Sequence, residues 1–584
     1  MKKYITLFLI AFMAFSCNED SFLKETPLDF MSGNNSYSTK ADYDASITEL
    51  YYLTRKEFFG DYNRSMDFIY GTDLMMASDP LKANLSSDYN PTGGIAKFHW
   101  ETLYLLVAQS NVAISRLPES ELTDTQKVEY EAKARFFRGF AYRTLAYLYG
   151  GVPLQLEEVK SPKTDYVRDT KENVLAQAIK DVEFASEHLS DITDVRDGEI
   201  SLPVAYTLLS ELYLATGENQ KAIDAATKVI NNPALSLMKD RFGSRKSENG
   251  DVYWDLFRTN NQNRIEGGNK EGIWVIQEEA DVPGGAAKTS DYFWYTTSFW
   301  MERFCAPQVG LFKFVMPDGT NLSPFNWPIG DYTGGRGIGT LYATNHFYRT
   351  IWDGDFKNDI RNSIYNYPRK FKFNNPDFIK KYGSIFGDSI DLENPNLPAG
   401  VKVISGYDGG ITPSNSLPNR FLCGYQTKCT TPYNHPAAQY LDKKTYLLSG
   451  TGGKTYTDQY MFRLPEAYLL RAEAYMKMNK LTEAAADINV IRARANAKPV
   501  EVSKVTMDYI LDERMREFGI EEKRRLTLAR TGKLYERVMK FNPYYSKENS
   551  SDGKGFLKKY ELYPIPQSVI EANKDAVLEQ NPEY

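Results

Sequence analysis

Residues 207–229 (TLLSELYLATGENQKAIDAATKV) and residues 469–491 (LLRAEAYMKMNKLTEAAADINVI) superpose at a constant shift of 262 positions. Three pairs of identical residues fall together: Glu211 with Glu473, Tyr213 with Tyr475, and Ala222 with Ala484. Gly217 falls on Asn479, and both residue types tolerate the left-handed backbone that ends a helix. Each stretch therefore predicts a helix, a tight turn and a second helix.

The repeat has a packing explanation. A large Tyr or Leu on the first helix packs over small Ala side chains on the second, as in tetratricopeptide helix pairs. Two unrelated amphipathic hairpins remain the alternative, because alanine-rich helices resemble one another. The pattern favours a mostly α fold built on a tetratricopeptide-like helix-pair scaffold.

Amphipathic segments separated by Gly and Pro extend the helical pattern along the chain. The predicted helices are 95–116, 129–148, 172–188 and 203–215, followed much later by 459–477, 481–495 and 507–530. Between residues 239 and 454 the chain is rich in Gly, Pro, Asn and aromatics, which favours loops, short strands and brief helices. Aromatic side chains at this density are buried or bind a ligand, so we expect a large folded insertion that carries the recognition site.

The N-terminus has the pattern of an export signal. A basic start precedes an apolar stretch at residues 4–15, which is too short to span a bilayer as a helix. Ala14 and Ser16 are small, as a lipoprotein signal peptidase requires before its cysteine. We therefore expect Cys17 to be acylated and to anchor the mature chain, with an ordinary secretory signal as the alternative.

Length and composition limit the fold and the class of partner. A chain of 584 residues is longer than one hydrophobic core normally serves, so we expect several packed lobes. The 70 basic and 76 acidic residues give no electrostatic footprint for nucleic acid, and no later segment approaches 18 consecutive apolar residues. The four histidines are scattered and no CxxC pair exists, so we predict no metal site and no cofactor. Cys423 and Cys429 could close a small loop, leaving Cys305 buried and free.

Five stretches resemble, in order, the signature stretches of the SusD/RagB family, the outer-membrane nutrient-binding lipoproteins of the starch-utilisation type in Bacteroidetes. They are CNEDSFLKETPLDF at 17–30, HWETLYLLVAQSNVAISRL at 99–117, YEAKARFFRGFAYRTLAYLYGGVPL at 130–154, the helices at 463–495 and 510–532, and YPIPQSVIEANKDAVLEQNPEY at 563–584. Single stretches are weak signals, but all five in order are specific.

Most residues of these stretches have structural explanations. We expect Trp100 in the core. The charged residues of the 510–532 stretch are spaced for i, i+3 and i+4 ion pairs, and we interpret them as scaffold. They are Glu513, Arg514, Glu517, Glu521 and Arg524.

The resemblance implies a division of the chain and a function. The regions are a signal peptide at 1–16, a lipidated tether at 17–40, a helical-repeat region at 41–238, a loop-rich ligand-binding region at 239–455, and a C-terminal helical region with a tail at 456–584. The implied function is capture of oligosaccharides or polysaccharides at the cell surface and their delivery to a SusC-like TonB-dependent transporter in the outer membrane.

Sugar binding requires flat apolar faces and a few fixed polar groups, which aromatic side chains in loops supply. The runs DYFWYTTSFW and PFNWPIGDY and the loop before the Trp100 helix are the densest candidates. The predicted ligand contacts are Trp294, Tyr295, Trp300, Trp327, Tyr332, Asp73, Asp79 and Tyr89. Burial in the core is the alternative for each aromatic.

Other functions stay open beside the glycan receptor. They are a peptide-binding RagB-like receptor, a helical-repeat scaffold that binds another protein, and a surface glycoside hydrolase. No catalytic residue is predicted, because nothing in the sequence places two carboxylates across a cleft. The acidic run at 353–359 lacks the Gly and terminal Glu of a calcium-binding EF-hand loop.

Overall fold

The structure is a computed structural model that describes residues 37–60, 64–77, 85–290, 298–326, 335–404, 413–414, 417–430, 433–546 and 555–584. Helices dominate these residues and sheet is sparse, which confirms the mostly α prediction. The helices of the first region are α1 (Lys40–Phe59), α2 (Leu85–Asp88), α3 (Gly94–Arg116), α4 (Asp124–Tyr149), α5 (Lys171–His188), α6 (Leu202–Thr216) and α7 (Asn219–Ile230).

Local capping explains where these helices begin. α3, α5 and α6 match their predicted bounds within one residue, whereas α4 begins at Asp124 rather than at residue 129. The extension is stabilised by a capping box, in which the Thr123 side chain accepts from the Gln126 amide and the Gln126 side chain accepts from the Thr123 amide. A polar capping pair therefore adds more than a turn to the predicted amphipathic segment.

The internal repeat is confirmed as two stacked helix pairs. α6 and α7 form the first pair, and α13 (Leu464–Lys477) with α14 (Leu481–Arg494) forms the second. Gly217 and Asn479 end the first helix of each pair with φ angles of 84° and 57°. Ala222 and Ala484 are fully buried, and α13 packs against α6 and α7 as well as α14. The two pairs therefore share one scaffold although they lie far apart in sequence.

The middle region contains short elements between long loops, as predicted. Its helices are α8 (Val252–Asp255), α9 (Arg264–Gly267), α10 (Met301–Cys305), α11 (Asn345–Tyr348) and α12 (Pro376–Phe386). The strands of the described residues begin with β1 (Met75–Ala77), and continue in this region as β2 (Gly272–Ile276), β3 (Glu279–Ala280), β4 (Ala286–Ala287), β5 (Phe314–Val315), β6 (Asn321–Leu322), β7 (Leu341–Ala343), β8 (Lys370–Lys372), β9 (Ser389–Asp391), β10 (Lys402–Ile404), β11 (Pro413–Ser414), β12 (Tyr440–Asp442) and β13 (Leu447–Leu448).

Small sheets connect this region to the scaffold. β1 pairs with β7, β11-β10-β5-β6 form one sheet, and β12-β13, β3-β4 and β8-β9 form pairs. β2 pairs antiparallel with β14 (Gln459–Arg463), which runs directly into α13. The predicted helix 459–477 is therefore wrong at its first five residues, because Tyr460 and Phe462 are buried in the strand pairing and Pro465 begins the helix.

The predicted helix 507–530 is also interrupted. It consists of α15 (Met507–Glu517), a 3₁₀ turn at Gly519–Glu521, and α16 (Arg524–Thr531). Gly519 has a φ of 51°, and a Cβ there would lie 2.1 Å from Gln426 Oε1. That same oxygen accepts a hydrogen bond from the Ile520 amide, so a contact from the middle region ends the helix. α17 (Leu534–Phe541) and α18 (Gln567–Ala572) complete the chain.

The charged residues of α15 are buried, and their main partners lie outside the helix, which corrects the predicted i, i+3 and i+4 pairing. Glu513 and Glu517 are fully buried and both accept from Arg361, a residue of the loop-rich region. Glu517 also pairs with Arg463 and Arg494. Partners distant in sequence outweigh neighbours on the same helix, although the scaffold role itself stands.

The C-terminal tail closes over the first helices. Tyr563 is buried and its amide donates to the Leu148 carbonyl. The Asn581 side chain donates to the carbonyls of Tyr149 and Tyr563. Trp100 is 5% exposed and packs edge-on against Tyr149, as expected of a core residue. The family-like stretches at 99–117, 130–154 and 563–584 therefore meet in one place. The region boundaries at 238 and 455 stay predictions.

The described residues include no helix that is both long and apolar enough to cross a bilayer. Cys305 and Cys423 are buried free thiols, so the suggested Cys423–Cys429 loop is not formed. Burial raises the pKa of Cys423 to about 12. Both thiols therefore act as small apolar side chains.

Candidate ligand pocket

Several predicted site residues lie outside the described residues and stay predictions. They are Cys17, Asp79, Trp294, Tyr295, Trp327 and Tyr332. The other three predicted ligand contacts, Asp73, Tyr89 and Trp300, are buried. Each has a structural role that corrects the prediction.

Trp300 is fully buried in the main hydrophobic core. Its amide donates to Ser65 Oγ at 3.0 Å, and the Lys454 ammonium lies 5.5 Å from its ring centroid. Alternating side chains of an aromatic run must point inward, and Trp300 is one of these.

Asp73 forms part of a buried ion cluster. Its carboxylate accepts from Arg524 Nε and Nη2 at 2.8 and 2.7 Å and from Arg537 Nε at 2.6 Å. Burial alone would raise the pKa of Asp73, but the two guanidinium groups outweigh it and lower that pKa. The carboxylate connects the first region to α16 and α17, and it is saturated with donors.

Tyr89 is 1% exposed and lies under the C-terminal tail. Its ring packs against Tyr560 and Tyr563, and the Arg525 guanidinium lies 4.9 Å from its centroid. The hydroxyl donates to the Tyr70 carbonyl. The ring is therefore a core contact.

Metal binding finds no support in the described residues. No group of three or more His, Cys, Asp or Glu side chains among them could hold an ion. In the acidic run, Asp355 accepts from Arg492 and Asp359 accepts from Arg361. These carboxylates neutralise buried arginines.

A narrow pocket lies where the helical scaffold meets the loop-rich region; its cavity volume is about 20 Å³, and the surrounding space of about 420 Å³ includes open solvent. Its wall combines α1, the loops around residues 257–262 and 299–301, the 3₁₀ turn before Cys429, the start of β14, and the turn between α15 and α16. The lining residues are Phe59, Phe257, Gln262, Phe299, Met301, Lys428, Thr457, Asp458, Gln459, Tyr460, Ile520, Glu521 and Lys523.

Aromatic rings form much of this wall. Phe59 and Phe299 meet edge to face with centroids 5.2 Å apart, and Phe257 and Tyr460 do so at 5.8 Å. Phe299 belongs to the run DYFWYTTSFW that the sequence singles out. Tyr460 is fixed by its hydroxyl, which donates to the Leu256 carbonyl.

Lys428 and Glu521 occupy the polar floor of the pocket. Lys428 Nζ donates to Glu521 Oε2 at 3.1 Å, to the Phe518 carbonyl at 2.8 Å and to Tyr253 Oη at 2.9 Å. Burial lowers the pKa of Lys428 to about 8, with Glu521 opposing. Arg463 also donates to both Glu521 oxygens, so these charges are mutually compensated.

Lys523 is different. Its Nζ lies 4.0 Å from the centroid of Phe59 and donates only to the Glu521 carbonyl, at 3.3 Å. Burial lowers the pKa of Lys523 to about 7. Among the described residues this ammonium has no carboxylate partner.

Acceptor oxygens are found at and beside the pocket residues Asp458 and Gln262. Asp458 accepts from the Glu278 amide at 2.8 Å and from Asn263 Nδ2 at 2.6 Å, and burial raises the pKa of Asp458 to about 6. Gln262 Oε1, Asn263 Oδ1 and both carboxylate oxygens of Glu278 are buried and accept no hydrogen bond from a described residue. This side of the pocket therefore favours a ligand that donates hydrogen bonds.

A second cavity of about 590 Å³ shares Tyr460, Glu521 and Lys523 with the pocket. Its wall is strongly charged, but the charges pair with one another, as in Arg514 with Glu466 and Arg143 with Glu211. We interpret it as a polar interior of the scaffold.

Sequence reasoning missed most of the pocket. Lys428, Asp458 and Lys523 come from three separate segments, and no motif marks any of them. Lys523 lies in the charged run EEKRR, which resembles an ordinary solvated surface. Only the aromatic run that ends in Phe299 and Trp300 carried a signal.

Comparison with known proteins agrees with the architecture. A sequence profile described as "SusD family" matches residues 402–584, and one described as "Starch-binding associating with outer membrane" matches residues 22–214. SusD-like protein P2 of Formosa agariphila is 27% identical over 242 residues, covering 40% of this chain and 47% of that protein. Starch-binding protein SusD of Bacteroides thetaiotaomicron is 38% identical over 130 residues, 22% of each.

The chain spans about half the length of the first curated relatives it matches. Among solved structures, surface glycan-binding protein A from Bacteroides thetaiotaomicron in complex with laminarihexaose aligns with a TM-score of 0.61 and 17% identity. The alignment covers 93% of this chain and all of that chain. At this identity the likeness concerns the fold alone.

Helix pairs that support a loop-rich insertion define the class as a helical-repeat scaffold with a large insertion. Profile matches over residues 22–214 and 402–584 give the family. The chain is a SusD-like protein and belongs to the SusD/RagB family.

Proposed function

We propose that this chain is a cell-surface glycan-binding lipoprotein that captures oligosaccharides and delivers them to a SusC-like TonB-dependent transporter in the outer membrane. Family membership supports the proposal, since relatives are named as starch-binding and surface glycan-binding proteins. The observation that carries it is the aromatic pocket at the border of the scaffold, which is lined by Phe299 of the loop-rich region.

The chemistry of the pocket suits a sugar. Apolar ring faces stack on sugar rings, and a few fixed polar groups select the hydroxyls. Phe59 and Phe299 supply apolar surface, while Gln262 and Asp458 supply acceptors. Trp294 and Tyr295 belong to the same segment as Phe299, so we keep them, together with Trp327, Tyr332 and Asp79, as proposed contacts for the rest of the glycan.

Anchoring through Cys17 completes the proposal. A matched profile that starts at residue 22 is described as associating with the outer membrane, which supports surface attachment of the folded body. Several acyl chains on one N-terminus would hold it stably, whereas a single chain would not.

The alternatives find less support. A scaffold that binds proteins through its repeats would need a free repeat face, yet α6, α7, α13 and α14 bury much of their surface against one another. The pocket carboxylates Asp458 and Glu521 are held by donors, which does not favour a hydrolase. A peptide ligand remains the closest competitor, because flat aromatic surface also binds peptides.

Affinity electrophoresis of the purified protein through gels that contain single polysaccharides tests the proposal. We expect retardation by at least one glycan and no released product on prolonged incubation. Product release would identify a hydrolase. Absence of retardation across neutral and acidic glycans, with binding of peptides instead, would replace the glycan receptor by the peptide receptor.

A further inference from the structure

We infer that the pocket binds a carboxylate-bearing sugar, with the carboxylate on Lys523 and the sugar hydroxyls on Gln262 and Asp458. The inference rests on the proposed function, because it takes a glycan as the ligand. It adds the substrate class, a glycan that contains a uronic acid.

Lys523 supplies the first part of the argument. Lys523 is partly buried, and an ammonium group that loses part of its water gains from a counter-charge or strong acceptors. Lys523 Nζ has one long hydrogen bond of 3.3 Å to a carbonyl and an aromatic face at 4.0 Å. The neighbouring Lys428, by contrast, has a carboxylate and three further oxygen acceptors. An anionic group of a ligand would complete the surroundings of Lys523 as Glu521 completes those of Lys428.

The other charged groups of the pocket do not act as the counter-charge of Lys523. Glu521 is bound by Arg463 and Lys428, so its carboxylate is already neutralised. Asp458 is fixed by the Glu278 amide and Asn263, and burial raises its pKa to about 6, which reduces negative charge in the pocket at pH 6 and below. An entering carboxylate therefore meets one uncompensated cation.

The unpaired acceptors supply the second part. Gln262 lines the pocket, is 1% exposed, and its Oε1 accepts no hydrogen bond from a described residue. A buried acceptor without a donor is unfavourable, and a bound molecule that donates to it would remove that cost. Sugar hydroxyls are such donors. A simple anion would satisfy Lys523 but leave Gln262 unpaired.

Calorimetry with matched trisaccharides tests the inference. The probes are trigalacturonate, triglucuronate and trimannuronate, each compared with the same trisaccharide after reduction of its carboxylates to primary alcohols. We expect at least one uronate to bind at pH 6 at least tenfold more tightly than its reduced form. Lys523→Met should remove that preference, while Lys540→Met, an exposed lysine on α17, should leave it unchanged.

The pH dependence separates Lys523 from its neighbours. Uronate affinity should fall between pH 6 and pH 8 as Lys523 loses its proton. Asp458, Glu521 and Lys428 face the same pocket and contribute to this profile. Lys523→Arg, which stays charged, should bind the uronate with an affinity that varies less over this range than that of the natural protein.

Three outcomes would overturn the inference. Equal affinity for the uronate and its reduced form would show that the carboxylate is not recognised. Acetate binding as tightly as the uronate would show that the sugar is not recognised. Full uronate preference in a folded Lys523→Met variant would place the site elsewhere. If polysaccharide gels still retard the protein in these cases, the proposed glycan receptor stands without this substrate class.

Discussion

Buried charged side chains in this protein differ in whether the fold supplies their partners. Asp73, Glu513 and Glu517 each meet two or more arginines. His99 is fully buried between Glu57, at 2.6 Å, and Asp67, at 3.3 Å. Such groups stabilise one arrangement of helices and loops, and they are unavailable to a ligand. Lys523, which lines the pocket, is an exception, because it has no carboxylate partner among the described residues.

The His99 site makes stability depend on pH. Burial alone lowers the pKa of His99, but Glu57 and Asp67 outweigh it and raise the pKa to about 9. Because the pKa of His99 is higher in the folded than in the unfolded protein, protonation of His99 stabilises the fold. This stabilisation is complete below about pH 6.5, the ordinary pKa of His, and is lost as pH rises through 9. We therefore expect the midpoint of urea unfolding to fall between pH 6.5 and 9, and His99→Gln to remove part of that fall.

His188, an exposed residue at the end of α5, provides the matched control. His188→Gln should leave the pH profile of stability unchanged. A His99→Gln variant with the same profile as the natural protein would show that this imidazole is neutral in the folded state.

Alanine substitutions of the three tryptophans that were predicted to bind a glycan should have different effects. Trp300→Ala removes a fully buried ring and should destabilise the fold by about 3–5 kcal/mol. Trp294→Ala or Trp327→Ala should instead weaken glycan binding about tenfold, equivalent to ~1.4 kcal/mol, without unfolding. Trp294→Phe keeps an apolar ring and should retain most of the affinity. Thermal melts with calorimetry distinguish these effects, and wild-type binding in both alanine variants would move the site away from these loops.

Residue-level prediction from the sequence succeeds where a side chain follows its type and fails where partners are distant. Trp100 follows the burial habit of tryptophan, and it is buried. Asp73 was predicted to contact a ligand because its loop is polar. Its carboxylate instead accepts hydrogen bonds from Arg524 and Arg537, which lie more than 400 positions away in the sequence. Spacing along one helix could not show that Glu517 pairs with Arg361 of the loop-rich region.

Elements follow from local rules except where tertiary contacts interrupt them. Gly217 and Asn479 end their helices in the left-handed conformation, as the repeat predicts. β14 and the turn at Gly519 depend on β2 and Gln426, which a local window does not contain. Predicted helices were therefore too long at these two places, and the predicted helix 129–148 was too short at its start, where a capping box extends α4 to Asp124.

The helix-pair packing gives a test at this scale. Ala484 is fully buried on α14 against α13, so Ala484→Trp should overpack this interface and destabilise the protein by about 1–3 kcal/mol. Glu483→Trp, exposed on the same helix, is the control and should have little effect. We expect a lower melting temperature for Ala484→Trp with unchanged glycan specificity. Equal melting of the two variants would contradict the packing.

At the scale of the whole molecule, one scaffold is assembled from both ends of the chain, and the loop-rich region lies against it. α13 packs on α6 and α7, and the tail binds back at Tyr149. Ordered family-like stretches allowed this architecture to be predicted. The pocket itself could not be predicted, because its wall forms only when segments from six parts of the chain meet.

Localisation is tested with Cys17. Cys17→Ala removes the acyl acceptor, so the variant should move from the outer-membrane fraction to the soluble fraction. Natural protein isolated from native membranes should co-purify with a large β-barrel transporter. Tight membrane partition of Cys17→Ala would contradict the lipid anchor, and purification without a barrel would count against the delivery step.

Retention of the purified protein by a polysaccharide gel, with incubation products measured in parallel, tests the central claim most directly. The account predicts retardation by at least one glycan, loss of that retardation in a folded Trp294→Ala or Trp327→Ala variant, and no shortened oligosaccharide. Migration unaffected by every glycan tested, or steady release of product, would contradict a glycan-binding receptor.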